Sequence, residues 1–207
     1  MELLKGIKNI IFDLGGVVIN LDYNITIAEF KKLGIVDFEV FFTKHSQFDK
    51  LERGRISGKQ FVAELKKYLP DSVSDQQVIG AWNAMLLDFP LERAELLAKL
   101  KTQYRTFLLS NTNELHLDCH SKLLQKEHGI NDLSSFFEKQ YFSHIVGMRK
   151  PDAEIYEFVL NENGLKPEET LFIDDNIKNI EGAVRCGIRS LHLKKPLTLL
   201  DVFHSLS

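Results

Sequence analysis

Short uninterrupted apolar runs alternate along this chain with stretches in which apolar residues recur at helical spacing. The first run, Asn9-Ile10-Ile11-Phe12, stops at Asp13 and is followed by Gly15-Gly16. A run that is apolar on both faces predicts a strand buried inside a parallel sheet, ending here in a tight loop. The pattern recurs at Arg105 to Leu109, which runs into Ser110-Asn111-Thr112-Asn113, and at Thr170 to Ile173, which runs into Asp174-Asp175-Asn176. Shorter strands are predicted at Tyr141 to His144 and Ser190 to Leu193. Helical stripes cover Glu92 to Leu100, Leu115 to His128, Ala153 to Asn161 and Ile177 to Cys186, the last stopped by Gly187. Strands separated by helices predict an α/β protein with a doubly wound parallel sheet, the Asp13 strand central between the Ser110 and Asp174 strands.

From about Tyr23 to Trp82 the character changes: apolar spacing is helical, as in Ile27, Phe30 and Leu33 or Phe61, Leu65 and Leu69, with no strong strand signal. Three or four short helices are expected. Glu52-Arg53-Gly54 interrupts them, and Ser57 can cap the next. The expected organisation is a core domain of residues 1–20 and 86–207 with a small helical cap, 21–85, inserted after the first strand. Such an insertion springs from the loop bearing Asp13 and is read as a lid; the plainer alternative is a packing subdomain.

Composition narrows the partners. Among 207 residues, 44% are hydrophobic and 27% charged, as in an ordinary globular protein, and a formal net charge of −3 offers no basic field for nucleic acid or an anionic membrane. Neither partner is expected. Cys119 and Cys186 fit no disulfide or metal pattern, and Met1 to Lys8 reads as neither a signal peptide nor a span, so a cytoplasmic location is expected.

The carboxyl ends of parallel strands share one edge of the sheet, which brings Asp13, Ser110-Asn111 and Asp174-Asp175 toward one crevice, with Lys150 in a loop before a helix. Alone, Asp13 reads equally as a turn residue or a catalytic one. Three crowded carboxylates repel one another unless cations offset them. Magnesium, with oxygen ligands from Asp13, Asp175 and a backbone carbonyl near Gly15, suits that need, and Lys150 adds positive charge. Such a site fits a phosphoryl group, held by magnesium, Lys150 and Ser110 and attacked by a carboxylate. Other features read as bland. His116 and His120 have a spacing able to bind zinc but lack a partner ligand, so a helix surface is expected, with His116 near enough to approach the site. Gly15-Gly16 lacks dinucleotide-binding spacing. Glu52, Arg53 and His45 are either substrate contacts or surface.

Four segments, Phe12-Asp13-Leu14-Gly15-Gly16-Val17, Leu109-Ser110-Asn111-Thr112-Asn113, Gly147-Met148-Arg149-Lys150-Pro151 and Phe172-Ile173-Asp174-Asp175-Asn176, span nearly the whole chain. In this order they resemble the motifs of the haloacid dehalogenase superfamily of hydrolases. More narrowly, Leu115-His116 after the second motif and Asn179-Ile180-Glu181-Gly182-Ala183 after the fourth are similar to the sugar-phosphate phosphatase branch that includes bacterial α-glucose-1-phosphate phosphatase. The resemblance implies a Rossmann-like fold, Asp13 as nucleophile, Ser110 and Lys150 on the phosphate with Asn111 beside them, and magnesium held by Asp13, the Gly15 position, Asp174 and Asp175. It implies magnesium-dependent hydrolysis of a small phosphorylated metabolite, such as the sugar phosphate glucose 1-phosphate, through an aspartyl-phosphate. The sequence departs from the family at Gly15, where most phosphatases carry a second aspartate as general acid and base. A leaving group stable as an anion, such as an anomeric hydroxyl, is least affected by that loss, and Asp22 is a possible substitute. The alternatives are a metal-free 2-haloacid dehalogenase-type hydrolase and a non-catalytic phosphate-binding relative.

Overall fold

A computed structural model describes residues 3–204. Five parallel strands, β1 (Asn9–Phe12), β2 (Arg105–Ser110), β3 (Lys139–Phe142), β4 (Thr170–Asp174) and β5 (Arg189–His192), form one sheet in the order β3-β2-β1-β4-β5. The Asp13 strand is therefore central, between the strands ending at Ser110 and Asp174. Register does the rest: Phe12 lies opposite Leu108 on one side and Ile173 on the other. Asp13 and Asp174 thus emerge at one level of the sheet, with the Asp13 N–H still donating to the Ile173 carbonyl at 2.9 Å.

Strand alternation divides the core. Ile10 and Phe12 pack on one face with Leu108, Ile173 and the helices α6 (Leu91–Lys101), α7 (Glu114–His128) and α11 (Leu199–Val202); Ile11, Phe107 and Phe172 pack on the other with α9 (Ala153–Asn163) and α10 (Ile177–Arg185). Both faces are covered, which is why the central strands read as continuous apolar runs. The edge strands read less clearly. The expected strand at Tyr141 to His144 is displaced: β3 occupies 139–142, and Ser143 begins the short helix α8 (Ser143–Val146). Its pattern of exposed, half-buried and buried positions carries no uniform apolar signal. β5 starts and ends one residue before the expected Ser190 to Leu193.

Between β1 and α6 the chain forms five helices rather than three or four: α1 (Tyr23–Leu33), α2 (Phe38–Lys44), α3 (Gln47–Glu52), α4 (Gly58–Lys66) and α5 (Asp75–Asn83). They enclose their own apolar cluster, with Phe48 and Phe61 rings 5.3 Å apart and Phe61 and Trp82 rings 5.1 Å apart. Ser57 caps α4 through a reciprocal box with Gln60, as its position implied. Gly54 is demanded twice over, since its φ is +64° and a Cβ there would strike the His144 carbonyl of the core. The segment is entered and left through paired chain: Asn20 and Asp22 donate backbone bonds to Asp88 and Met85 at 3.0 Å each. On these grounds we propose that 21–85 is a cap domain on a core of 1–20 and 86–207, whose outermost residues, 1, 2 and 205–207, lie outside the described part. No helix among the described residues is long and apolar enough to cross a membrane.

Phe61 is fully buried at the centre of the cap cluster. Phe61→Ala should lower unfolding stability by about 3–5 kcal/mol, measured by urea denaturation.

Candidate active site

Lys150 organises the crevice at the carboxyl edge of the sheet. Its side chain is 1% exposed, and the ammonium donates to Asp13 Oδ1 at 2.6 Å, Asp174 Oδ2 at 2.7 Å and the Leu109 carbonyl at 2.8 Å. Those bonds match the three N–H groups of an ammonium. Asn111 supports it from below: the Asn111 amide donates to the Lys150 carbonyl at 2.8 Å, and the Lys150 N–H donates to Asn111 Oδ1 at 2.9 Å. Asn111 thereby positions the Lys150 loop while itself lining the cavity, where the sequence placed it as a substrate ligand.

Asp174 is fully buried, accepting from Lys150, from the Asn176 N–H at 2.8 Å and from the Asn179 amide at 3.0 Å. Asp175, the next residue, is partly exposed and turns toward the Asp13 loop. Gly16 makes room for it: a Cβ there would collide with the Asp175 carboxylate, and the φ of +74° also favours glycine. Asp13, Asp174 and Asp175 each offer an oxygen, all within 4.8 Å of one another. Hard carboxylate oxygens at that separation fit a small divalent cation, and among the described residues this is the group able to hold one. His116 and His120 belong to no such group.

One ammonium does not balance three carboxylates. Burial first, and then Asp174 and Asp175, push the Asp13 carboxyl from 3.8 up to about 7 against the pull of Lys150. Burial, with Asp174, likewise raises Asp175. A bound cation would reverse both shifts.

The crevice opens into a cavity of about 410 Å³ between cap and core, and both Gly15 and Ser110 line it. Ser110 is 3% exposed and stands at the cavity floor. Gly15 has no side chain to offer, and the space a Cβ would take there is filled by the Leu21 side chain. Asp22 is not among the residues lining the cavity, and its carboxylate accepts from the Asn24 N–H at 3.0 Å as the N-cap of α1. Of the cap candidates, Glu52 lines the cavity, whereas Arg53 bridges to core Asp152 at 2.6 Å. His45 bonds the Phe41 carbonyl at 2.7 Å and stacks on that ring away from the cavity.

His116 and His120 lie on no open helix surface: His116 faces the cavity and His120 is 4% exposed. Residues the sequence did not single out include Tyr23, Phe38, Phe42 and Met85 on the cavity wall, and Arg149, which pairs with Glu52 at 2.9 Å and Asp49 at 3.2 Å. Arg149 stood beside Lys150 in the third motif; nothing in the sequence paired it with the cap.

Lys150→Met leaves buried carboxylates without their cation and should cost about 3–5 kcal/mol in metal-free urea unfolding above neutral pH. The sign of the pH dependence follows from the raised Asp13: the folded state keeps a proton between 3.8 and about 7 that the unfolded state releases, so stability falls as pH rises through that window. The variant's deficit should therefore shrink at the acid end.

Comparison with known proteins bears on the family and the fold. The family described as haloacid dehalogenase-like hydrolase matches residues 7–187. A D-ribitol-5-phosphate phosphatase from Bacteroides thetaiotaomicron is 31% identical over 189 residues, covering 89% of this chain and 90% of that one. A solved haloacid dehalogenase family enzyme from the same organism, in a magnesium complex, superposes with a TM-score of 0.87 at 37% identity, covering 96% of this chain and 98% of that one. The L-2-haloacid dehalogenase of Xanthobacter autotrophicus shares the fold at a TM-score of 0.57 and 21% identity, over 89% of this chain and 76% of that one. The chain belongs to the haloacid dehalogenase-like hydrolase family.

Proposed function

We propose that the protein is a magnesium-dependent phosphomonoester hydrolase acting on a small phosphorylated metabolite, of the sugar-phosphate class and including sugar 1-phosphates such as glucose 1-phosphate. The observation that carries this reading is the excess of carboxylate over ammonium where Asp13, Asp174 and Asp175 meet Lys150. Such an excess has a use if a divalent cation and a phosphoryl group complete the site. It is an uncompensated cost in a metal-free dehalogenase. The phosphatase name and magnesium complex among the relatives support the same choice.

In this mechanism Asp13 Oδ attacks phosphorus in line, the bond from phosphorus to the leaving oxygen breaks, and a phosphoaspartate forms. Water then attacks that phosphorus, releasing phosphate and restoring the Asp13 carboxylate. Asp13, Asp174, Asp175 and the Gly15 carbonyl would hold magnesium, which when bound would supply positive charge to the phosphoryl oxygens. Ser110 hydrogen-bonds those oxygens from the cavity floor. Lys150 supplies fixed charge and orients Asp13, and Asn111 and Asp174 hold Lys150. With glycine at position 15, the departing oxygen takes its proton from solvent, which favours leaving groups of low pKa.

Asp13→Asn should reduce p-nitrophenyl phosphate turnover at least about 10⁴-fold while magnesium still raises Tm, and EDTA should abolish wild-type turnover. Turnover that survives EDTA would identify a metal-free hydrolase, and absence of turnover with magnesium would identify a binding protein.

Gly15→Asp tests the missing acid. Because Leu21 fills the space, the single variant should gain little, and Gly15→Asp with Leu21→Ala should raise kcat for primary-alcohol phosphates by about 10²-fold and for p-nitrophenyl phosphate by far less. Equal gains on both substrates would show that proton donation does not limit the alcohol ester.

A further inference from the structure

The cavity wall above Ser110 is mostly apolar, yet two of its polar groups are held in place by bonds that fix what each can do. Glu52, at the end of α3, pairs through Oε2 with the Arg149 guanidinium at 2.9 Å, and its side chain is 19% exposed. Arg149 is itself tied to Asp49 at 3.2 Å and precedes Lys150, so the carboxylate is fixed relative to the Lys150 loop. Glu52 itself lines the cavity. Burial raises the Glu52 carboxyl above its ordinary range against the pull of Arg149, and in its ionised form, paired with that guanidinium, it only accepts hydrogen bonds.

His116, in the first turn of α7, is held with equal definition. Its backbone N–H donates to the Asn113 cap at 3.1 Å, its ring stacks on Trp82 at 4.7 Å, and Nδ1 meets Asn83 Oδ1 at 2.8 Å. With Asn83 Oδ1 placed against it, Nδ1 carries the proton in the tautomer this contact assigns, and in that neutral imidazole Nε2 is the acceptor. Burial lowers the ring pKa to about 3 and keeps it neutral. Two preset acceptors against one cavity therefore call for hydroxyl donors on the ligand.

Resting on the phosphomonoesterase reading, we propose that Glu52 and His116 form a hydroxyl-recognition subsite for the leaving group, selecting phosphorylated polyols and sugars over alkyl or aryl phosphates. The apolar wall formed by Trp82, Phe38 and Met85 faces the carbon skeleton, and the two acceptors receive its hydroxyls. An alkyl or aryl ester entering the same cavity would leave both acceptors desolvated without a donor, and that cost supplies the discrimination. Glu52 comes from the cap and His116 from the core, so the subsite is complete only when the two are apposed.

The test is a specificity ratio, measured with magnesium on ribitol 5-phosphate and glucose 1-phosphate against p-nitrophenyl phosphate, for wild type, Glu52→Gln and His116→Phe. His116→Phe keeps a ring against Trp82 and removes the acceptor, which guards against a fold defect in the Glu52 variant. The ratio of kcat/KM for a polyhydroxylated substrate to that for the aryl phosphate should fall about 10- to 100-fold in each variant, chiefly through KM. A ratio that stays constant in both variants, even as absolute rates drop, overturns the subsite while leaving the phosphatase reading intact. A wild-type protein inactive on all three substrates overturns both.

Discussion

A single buried ammonium holds this site together. Lys150 lies between Asp13, Asp174 and the Leu109 carbonyl, all within 2.8 Å, at the point where three adjacent strands end. A charge that deep persists only with partners of opposite sign and satisfied donors, and the sheet supplies both. Because Asp13 and Asp174 leave β1 and β4 at one level, their carboxylates converge without any side chain reaching far. The same geometry carries a surplus of negative charge, seen in the raised Asp13 and Asp175, and that surplus is the electrostatic reason for a cation.

The ion pairs around Lys150 continue into the cap. Arg149, on one side of Lys150 in sequence, grips Glu52 and Asp49; Asp152, on the other, grips Arg53. Each of these pairs is partly exposed, so individually they add little stability. Their value is positional. The loop carrying the buried cation is the loop that holds the cap, so apposition of cap and core and placement of the active-site charge depend on one short segment. Gly54, packed against the His144 carbonyl, lets the two surfaces approach at that point.

Gly15 has an explanation beyond the lost carboxylate. Leu21 fills the volume that a side chain at position 15 would need, so the site is packed around the glycine rather than merely lacking a residue. The same Leu21 pairs with Leu86 where the chain enters and leaves the cap, which links the cavity floor to the connection between the two parts.

The central strands, the parallel architecture, the helical insertion and the positions of Asp13, Ser110, Lys150, Asp174 and Asp175 were legible in the sequence. A strand covered on both faces must be apolar throughout, so the polar residue that ends it stands out. Edge strands carry no such requirement, and β3 was displaced for that reason. Asn111, Asp22, His116 and Glu52 were visible as residues, but their roles were not. The Asp22 cap is local, made with Asn24 two residues on, but the bonds of Asn111 to Lys150, of His116 to Asn83 and of Glu52 to Arg149 join residues distant in sequence, and only the tertiary structure brings those partners within bonding distance.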